Sequence, residues 1–140
     1  FYRCSWRYSE WRAIGHKKAG NVDLFAFTLA ADACERWGLP LMIEAMAKGK
    51  DLKSGDPEGI KLASRAAQEI GADIVKTYYT ATDFDQVTGG CPAPVAIAGG
   101  PKCDTDEETL AMIRGALDGG AVGIVMGRNI WQSERPLPLI

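Results

Sequence analysis

From Leu39 onward the chain repeats one pattern of apolar and polar positions: a short apolar run, a polar loop, an amphipathic stretch, then glycine. Leu41-Met42-Ile43 follows Gly38 and Pro40 and reads as a strand. Asp56-Pro57-Glu58 then opens a helix through Ile70, with an aspartate at the N-cap and proline in the first turn. Ile60, Ala63, Ala66, Ala67 and Ile70 give this helix one apolar stripe, and Gly71 closes it. The next strand is Asp73 to Tyr78. Phe84 to Thr88 is at most a short helix, and Pro94 to Ala98 is a third strand. A T-x-x-E box from Thr105 to Glu108 predicts a capped helix reaching Leu117, with Leu110, Ile113 and Leu117 on its apolar face. Gly119-Gly120 stops it, and Val122 to Met126 is a fourth strand.

Strand centres near residues 43, 75, 96 and 124 are about 21 to 32 residues apart, the period of β/α units whose crossovers force parallel pairing. The runs are apolar on both faces, as strands enclosed between two layers must be. The fold class is therefore α/β. Four such units make half of an eight-stranded (β/α)8 barrel, which takes about 250 residues, so residues 31–140 are expected to form a partial TIM barrel, its last four strands. The chain reads as truncated, and with Phe rather than Met at position 1 its front end reads as incomplete or altered.

Residues 1–30 are atypical. Phe1, Tyr2, Trp6, Tyr8 and Trp11 alternate with Arg3, Arg7 and Arg12, which suggests an irregular or amphipathic segment covering exposed core rather than a surface for bases or lipid. Val22 to Phe27 reads as a possible strand and Leu29 to Trp37 as helical.

Composition narrows the function. Sixteen Lys and Arg against 18 Asp and Glu leave a net charge of −2, which supplies no positive field for nucleic acid. No apolar run approaches the roughly 18 residues that cross a bilayer, and no signal-peptide core opens the chain, so a soluble intracellular protein without membrane partners is expected. Cys4, Cys34, Cys91 and Cys103 form no C-x-x-C pair and read as plain thiols. His16, the single histidine, cannot make a ligand cluster or a Ser-His-Asp apparatus without a G-x-S-x-G elbow, so no metal site is expected. Glycine is in excess, 16 residues of 140, and it stands where strands and helices end.

The strongest chemical anomaly is a lysine inside an apolar strand. Lys76 follows Ile74-Val75 and precedes Thr77-Tyr78-Tyr79, near the carboxyl end where parallel α/β folds place their reactive groups. An amine in a dry site tends toward its neutral, nucleophilic form, the form that makes an imine with a carbonyl compound. The plainer reading is a lysine that snorkels from the strand end or pairs with a carboxylate. Two loops add weight to the chemical reading. Ala98-Gly99-Gly100 ends the third strand and Gly127-Arg128-Asn129 the fourth, offering backbone N–H groups with no Cβ in the way of an anion. Barrel enzymes often bind phosphate with their last two loops and a short extra helix, which Arg128 to Gln132 can supply, and Arg128 can add a charge-assisted contact.

Three segments, D-I-V-K-T-Y-Y-T at 73–80, C-P-A-P-V-A-I-A-G-G-P-K at 91–102 and M-G-R-N-I-W-Q at 126–132, resemble the C-terminal half of the archaeal-type class I fructose-bisphosphate aldolases. They are equally similar to a relative of that group, the thiolase that cleaves phosphorylated autoinducer-2. The likeness runs over about residues 31 to 134, with the motifs in order and spacing. It implies a barrel whose Schiff-base lysine is Lys76 and whose phosphate site is Gly99, Gly100, Gly127 and Arg128. It also implies a cytoplasmic homo-oligomer that needs no metal, and no cofactor is expected.

The departures from that family are specific. Its fifth strand ends with an aromatic pair that includes an acid/base tyrosine, whereas Leu41 to Lys50 here reads L-M-I-E-A-M-A-K-G-K, with Glu44 and Met46 at those places. Methionine transfers no protons. Glu44 shares strand parity with Met46, so it is a candidate base or a partner for Lys76. Tyr78, two residues after Lys76 and on its side, is the other candidate proton donor. The acidic residue of the family's first strand has no counterpart, since strands one to four are missing or unrecognisable. Lys48, Lys50 and Lys53 are either a second anion site or a solvated basic loop.

The leading expectation is a class I, imine-forming lyase acting on a phosphorylated ketose or related carbonyl compound, with Lys76 attacking and Glu44 or Tyr78 moving protons. The alternatives are a thiolase-type acyltransferase of the same family and a catalytically inactive, phosphate-binding barrel fragment. An open parallel sheet also leaves unpaired edges, which favours association with another copy.

Overall fold

The computed structural model describes residues 7–12, 24–47 and 55–140. Lys48, Lys50, Lys53, His16, Cys4 and the aromatic and basic residues at positions 1–6 lie outside the described residues. Five strands, β1 (Arg7–Arg12), β2 (Leu41–Met46), β3 (Ile74–Tyr78), β4 (Val95–Ala98) and β5 (Gly123–Val125), form one sheet in sequential order, every pair parallel. The helices between them are α1 (Leu24–Trp37), α2 (Pro57–Glu69), α3 (Phe84–Gly90) and α4 (Asp106–Asp118), with one turn of helix, α5 (Arg128–Trp131), after β5. Sequential parallel order with intervening helices is the arrangement of consecutive barrel units. The four strands read from the sequence are β2 to β5.

The local signals act as the sequence suggests. Asp56 accepts the Gly59 N–H at 2.8 Å and Thr105 accepts the Glu108 N–H at 3.1 Å, so both caps satisfy amides that a helix start leaves without partners. Along α2, Ile60, Ala63 and Ala67 are buried. Strand side chains alternate between two faces. Leu41, Ile43, Ala45, Val75, Val95 and Ile97 join the core beneath the helices, together with Phe84 and Val87 of α3. Met42, Glu44, Lys76 and Ala96 take the opposite parity and stand outside that core cluster.

Three expectations are corrected. Residues 24–27, read as part of a possible strand, begin α1, because Phe27, Ala31 and Cys34 recur at helical spacing and pack into the core. Residues 7–12, read as an irregular or amphipathic covering segment, form β1, paired in parallel with β2 from Arg7 opposite Leu41 to Arg12 opposite Met46. The strand that precedes β2 is therefore at residues 7–12 and not at 24–27. The apolar face assigned to α4 is also corrected: Leu110 and Leu117 are exposed and Ile113 is half-buried, because the helix is turned so that the line of Thr109, Met112 and Ala116 meets the core instead.

Candidate active site

All five strands run the same way, so the ends of β3, β4 and β5 and the loops after them share one edge of the sheet. Lys76 lies directly opposite Glu44 in the β2–β3 ladder. Their side chains meet there, Nζ to Oε1 at 3.1 Å, at only 12% and 8% exposure. Removing two charges this far from water is costly, and their mutual contact offsets part of that cost. The plain account of a strand lysine, a carboxylate partner, is thus realised, and the same contact places a proton acceptor against the amine. Behind the pair, Thr77 is fully buried and its hydroxyl donates to the Ala45 carbonyl at 2.7 Å, tying β3 to β2 one residue beyond the rung that carries both charges.

Tyr78 lies two residues beyond Lys76 with the same parity, opposite Ala98, the last residue of β4. Its ring reaches the glycine loop: a Cβ added at Gly100 would sit 3.8 Å from the Tyr78 Cε1. Tyr78, Tyr79, Gly99, Gly100, Lys102 and Cys103 line a cleft of about 450 Å³ at this edge. Lys76 and Glu44 stand outside that lining. Tyr78 therefore joins two neighbouring places, the charged pair and the glycine cleft.

The two glycine loops come together as well. Gly100 has φ +61°, a conformation that favours glycine, and a Cβ on Gly99 would press on the Met126 Cγ at 3.0 Å and the Asn129 Nδ2 at 3.2 Å. Arg128 donates from an Nη to the Gly100 carbonyl at 2.8 Å. Gly127 caps α5, and no atom lies within 4 Å of a Cβ built there, so its place is not forced by crowding. The short helix expected after Gly127 is present, as α5.

Sequence reasoning missed Asn129 and Thr77. Asn129 is buried at 3% exposure; its Oδ1 accepts the Cys103 N–H at 2.8 Å, and its Nδ2 donates to the carbonyls of Gly99 at 2.7 Å and Pro101 at 3.3 Å. A polar residue one place past a glycine-arginine pair was the available signal. Among the described residues, no group of three or more His, Cys, Asp or Glu is placed to hold a metal, and no helix is long and apolar enough to cross a membrane. The Cys91 thiol, buried in the core at the end of α3 and donating to the Ser64 carbonyl of α2 at 3.6 Å, is pushed up from its ordinary value by desolvation, against smaller opposing effects of a backbone hydrogen bond from Ala93 and the charge of Arg65.

Known proteins resemble this chain over most of its length. The family model described as DeoC/LacD family aldolase matches residues 23–133. A Photorhabdus laumondii protein named 3-hydroxy-5-phosphonooxypentane-2,4-dione thiolase is 46% identical over 105 residues, 75% of this chain and 35% of that protein. A Salmonella paratyphi A protein of the same name is 46% identical over 109 residues, 78% of this chain and 36% of its own length. Among solved structures, a Schiff-base-forming fructose-1,6-bisphosphate aldolase superposes with a TM-score of 0.78 at 33% identity, over 83% of this chain and 48% of that one. An archaeal fructose-1,6-bisphosphate aldolase, with its catalytic lysine bound to the carbinolamine intermediate of the substrate, gives 0.79 at 32% over the same shares. The chain spans a little over a third of the curated relatives it matches and about half of those structures.

Proposed function

Because the chain belongs to the DeoC/LacD aldolase family, we propose that it carries the imine-forming half of a class I lyase acting on a phosphorylated ketose or related carbonyl compound. The observation that carries this reading is the buried contact of the Lys76 Nζ with the Glu44 Oε1 at 3.1 Å, at the sheet edge shared with the glycine loops. Lys76 gives up a proton and attacks the substrate carbonyl. The carbinolamine loses water to become a cationic imine, which accepts the electron pair as an enamine when the bond between the α and β carbons breaks and the β-hydroxyl, giving its proton to a base, leaves as an aldehyde. Glu44 is the group in contact with the amine and serves as proton acceptor and donor for these steps. Tyr78 takes the second proton-transfer role, since it projects beside Lys76 toward the cleft. The N–H groups of the Gly99-Gly100 loop, with Gly127 and Arg128, hold the phosphate. A guanidinium carries five donors, so the Arg128 bond to Gly100 leaves others for an anion.

Support comes from the likeness to an aldolase described with its lysine in carbinolamine linkage. A second reading, acyl transfer of the thiolase type, is favoured by the higher identity to relatives bearing that name. Glu44 and Met46 in place of the aromatic pair fit a changed proton-transfer step. Either way the substrate is a phosphorylated small molecule. The same reading takes the protein as a cytoplasmic homo-oligomer without nucleic-acid or membrane partners. The net charge of −2 supports the first exclusion, and the edges of β1 and β5, which pair with no further strand among the described residues, support association.

The test is to incubate the protein with dihydroxyacetone phosphate, reduce with borohydride and map the adduct by mass spectrometry. A reduced adduct on Lys76 is expected; adduct on other lysines alone, or none, overturns the imine reading. Phosphate-dependent thermal stabilisation without adduct indicates a binding protein.

A further inference from the structure

The carbonyl oxygens of Gly99, Gly100 and Pro101 are consecutive, and all three are engaged by two neighbouring side chains. Asn129 donates to Gly99 and Pro101, and Arg128 donates to Gly100. A peptide carbonyl facing a bound anion repels it, so a glycine loop is a cradle only when its oxygens are turned aside and held there. Arg128 is exposed and makes its bond from the outside. Asn129 is buried and works from within. Only one orientation of its amide serves every partner, because the Cys103 N–H needs the oxygen and the two carbonyls need the nitrogen.

We infer that Asn129 is a positioning residue for the phosphate cradle: it fixes the 99–103 loop against α5, so that the carbonyls face the Asn129 amide and the loop N–H groups are left to the ligand. This inference rests on the reading of the glycine loops as a phosphate site. Asn129 touches no substrate and acts through the backbone it holds. A Cβ at Gly99 would stand 3.0 Å from the Met126 Cγ and 3.2 Å from the Asn129 Nδ2, so a side chain there would press on Met126 and on the amide that holds the loop.

Asn129→Asp separates this role from simple packing. The substitution keeps shape and the acceptor for the Cys103 N–H, but replaces the donor to two carbonyls by an oxygen that repels them. Two readouts are compared in the full chain. The first is the dissociation constant for inorganic phosphate, by calorimetry. The second is the ratio of half-saturating concentrations of dihydroxyacetone and dihydroxyacetone phosphate for borohydride-trapped adduct on Lys76. We expect phosphate to bind about tenfold more weakly and the preference for the phosphorylated compound to fall by about the same factor. A general loss of structure would instead weaken trapping of both compounds together. A variant with unchanged phosphate affinity overturns the inference, and so does a parent protein that traps both compounds equally well and binds no phosphate, which leaves the imine reading standing. A parent that binds phosphate yet forms no adduct defeats the imine reading, and the calorimetric comparison then decides the role of Asn129 alone. Should Asn129→Asp fail to fold, Asn129→Ser, too short to span to both carbonyls, is read in the same way.

Discussion

The lysine pair and the glycine cradle lie along one sheet edge but are built by opposite means. At the pair, a regular backbone ladder holds side chains in place: Glu44 and Lys76 are opposite one another in register, and the Thr77 hydroxyl ties the same two strands. At the cradle, side chains hold an irregular backbone in place: Asn129 and Arg128 fix three consecutive carbonyls. The first site should fail when a charge is removed, and the second when an amide or a glycine is altered.

The largest expected effect is at the pair. Lys76→Met abolishes the trapped adduct by mass spectrometry and leaves the Glu44 carboxylate buried without its partner, a cost of about 3–5 kcal/mol in denaturant unfolding. The double variant with Glu44→Gln recovers much of that stability and none of the adduct. Recovery of neither would mean that the sheet, rather than the charge pair, was damaged. Glu44→Gln alone keeps the amine and removes the base, so the rate of adduct formation should fall by about 100-fold. A change of less than about threefold would move the base role to another group, with Tyr78→Phe as the next variant to measure. At the cradle, Gly99→Ala pushes a methyl against Met126 and Asn129; phosphate should bind about tenfold more weakly, with about 1–3 kcal/mol lost in stability. Unchanged phosphate affinity in that variant would remove the loop from the site.

The smallest effects concern two thiols, Cys91 within the core and Cys103 in the cradle loop. Burial pushes the Cys91 thiol up, so it stays protonated and labels slowly with maleimide in mild alkali, whereas Cys103, partly exposed, labels faster than Cys91 and is slowed by phosphate. The folded form of Cys91 holds its proton to higher pH than the unfolded chain does. Its contribution is therefore complete below the ordinary thiol range and declines as the pH rises through the raised value, a small loss readable as the alkaline slope of thermal stability.

Much of the fold was legible because its signals are local. Caps at Asp56 and Thr105, glycine stops and apolar runs at a β/α period fixed α2, α4 and strands β2 to β5. β1 was not legible: R-Y-S-E-W-R has too few apolar residues and no period of two, and its strand state comes from pairing with β2. Phe25 and Phe27 favour a strand locally, and the burial of Phe27 with Cys34 on one helical face decided otherwise. In the site, Lys76 stood out because a charge interrupts an apolar run, and the parity of Glu44 already put it on that side. Asn129 did not stand out. Its role lies in bonds to residues 26 to 30 positions away, and its place after Gly127-Arg128 marks the loop without revealing those partners.

The one-to-one pairing of Glu44 with Lys76 also makes the protein its own inspector. If β3 docked on β2 one position out of step, the amine would turn under the helices and Val75 would turn away from them, so a misassembled sheet would lose its apolar burial and its nucleophile at one stroke. A population carrying a live amine at this edge is for that reason a population already threaded correctly.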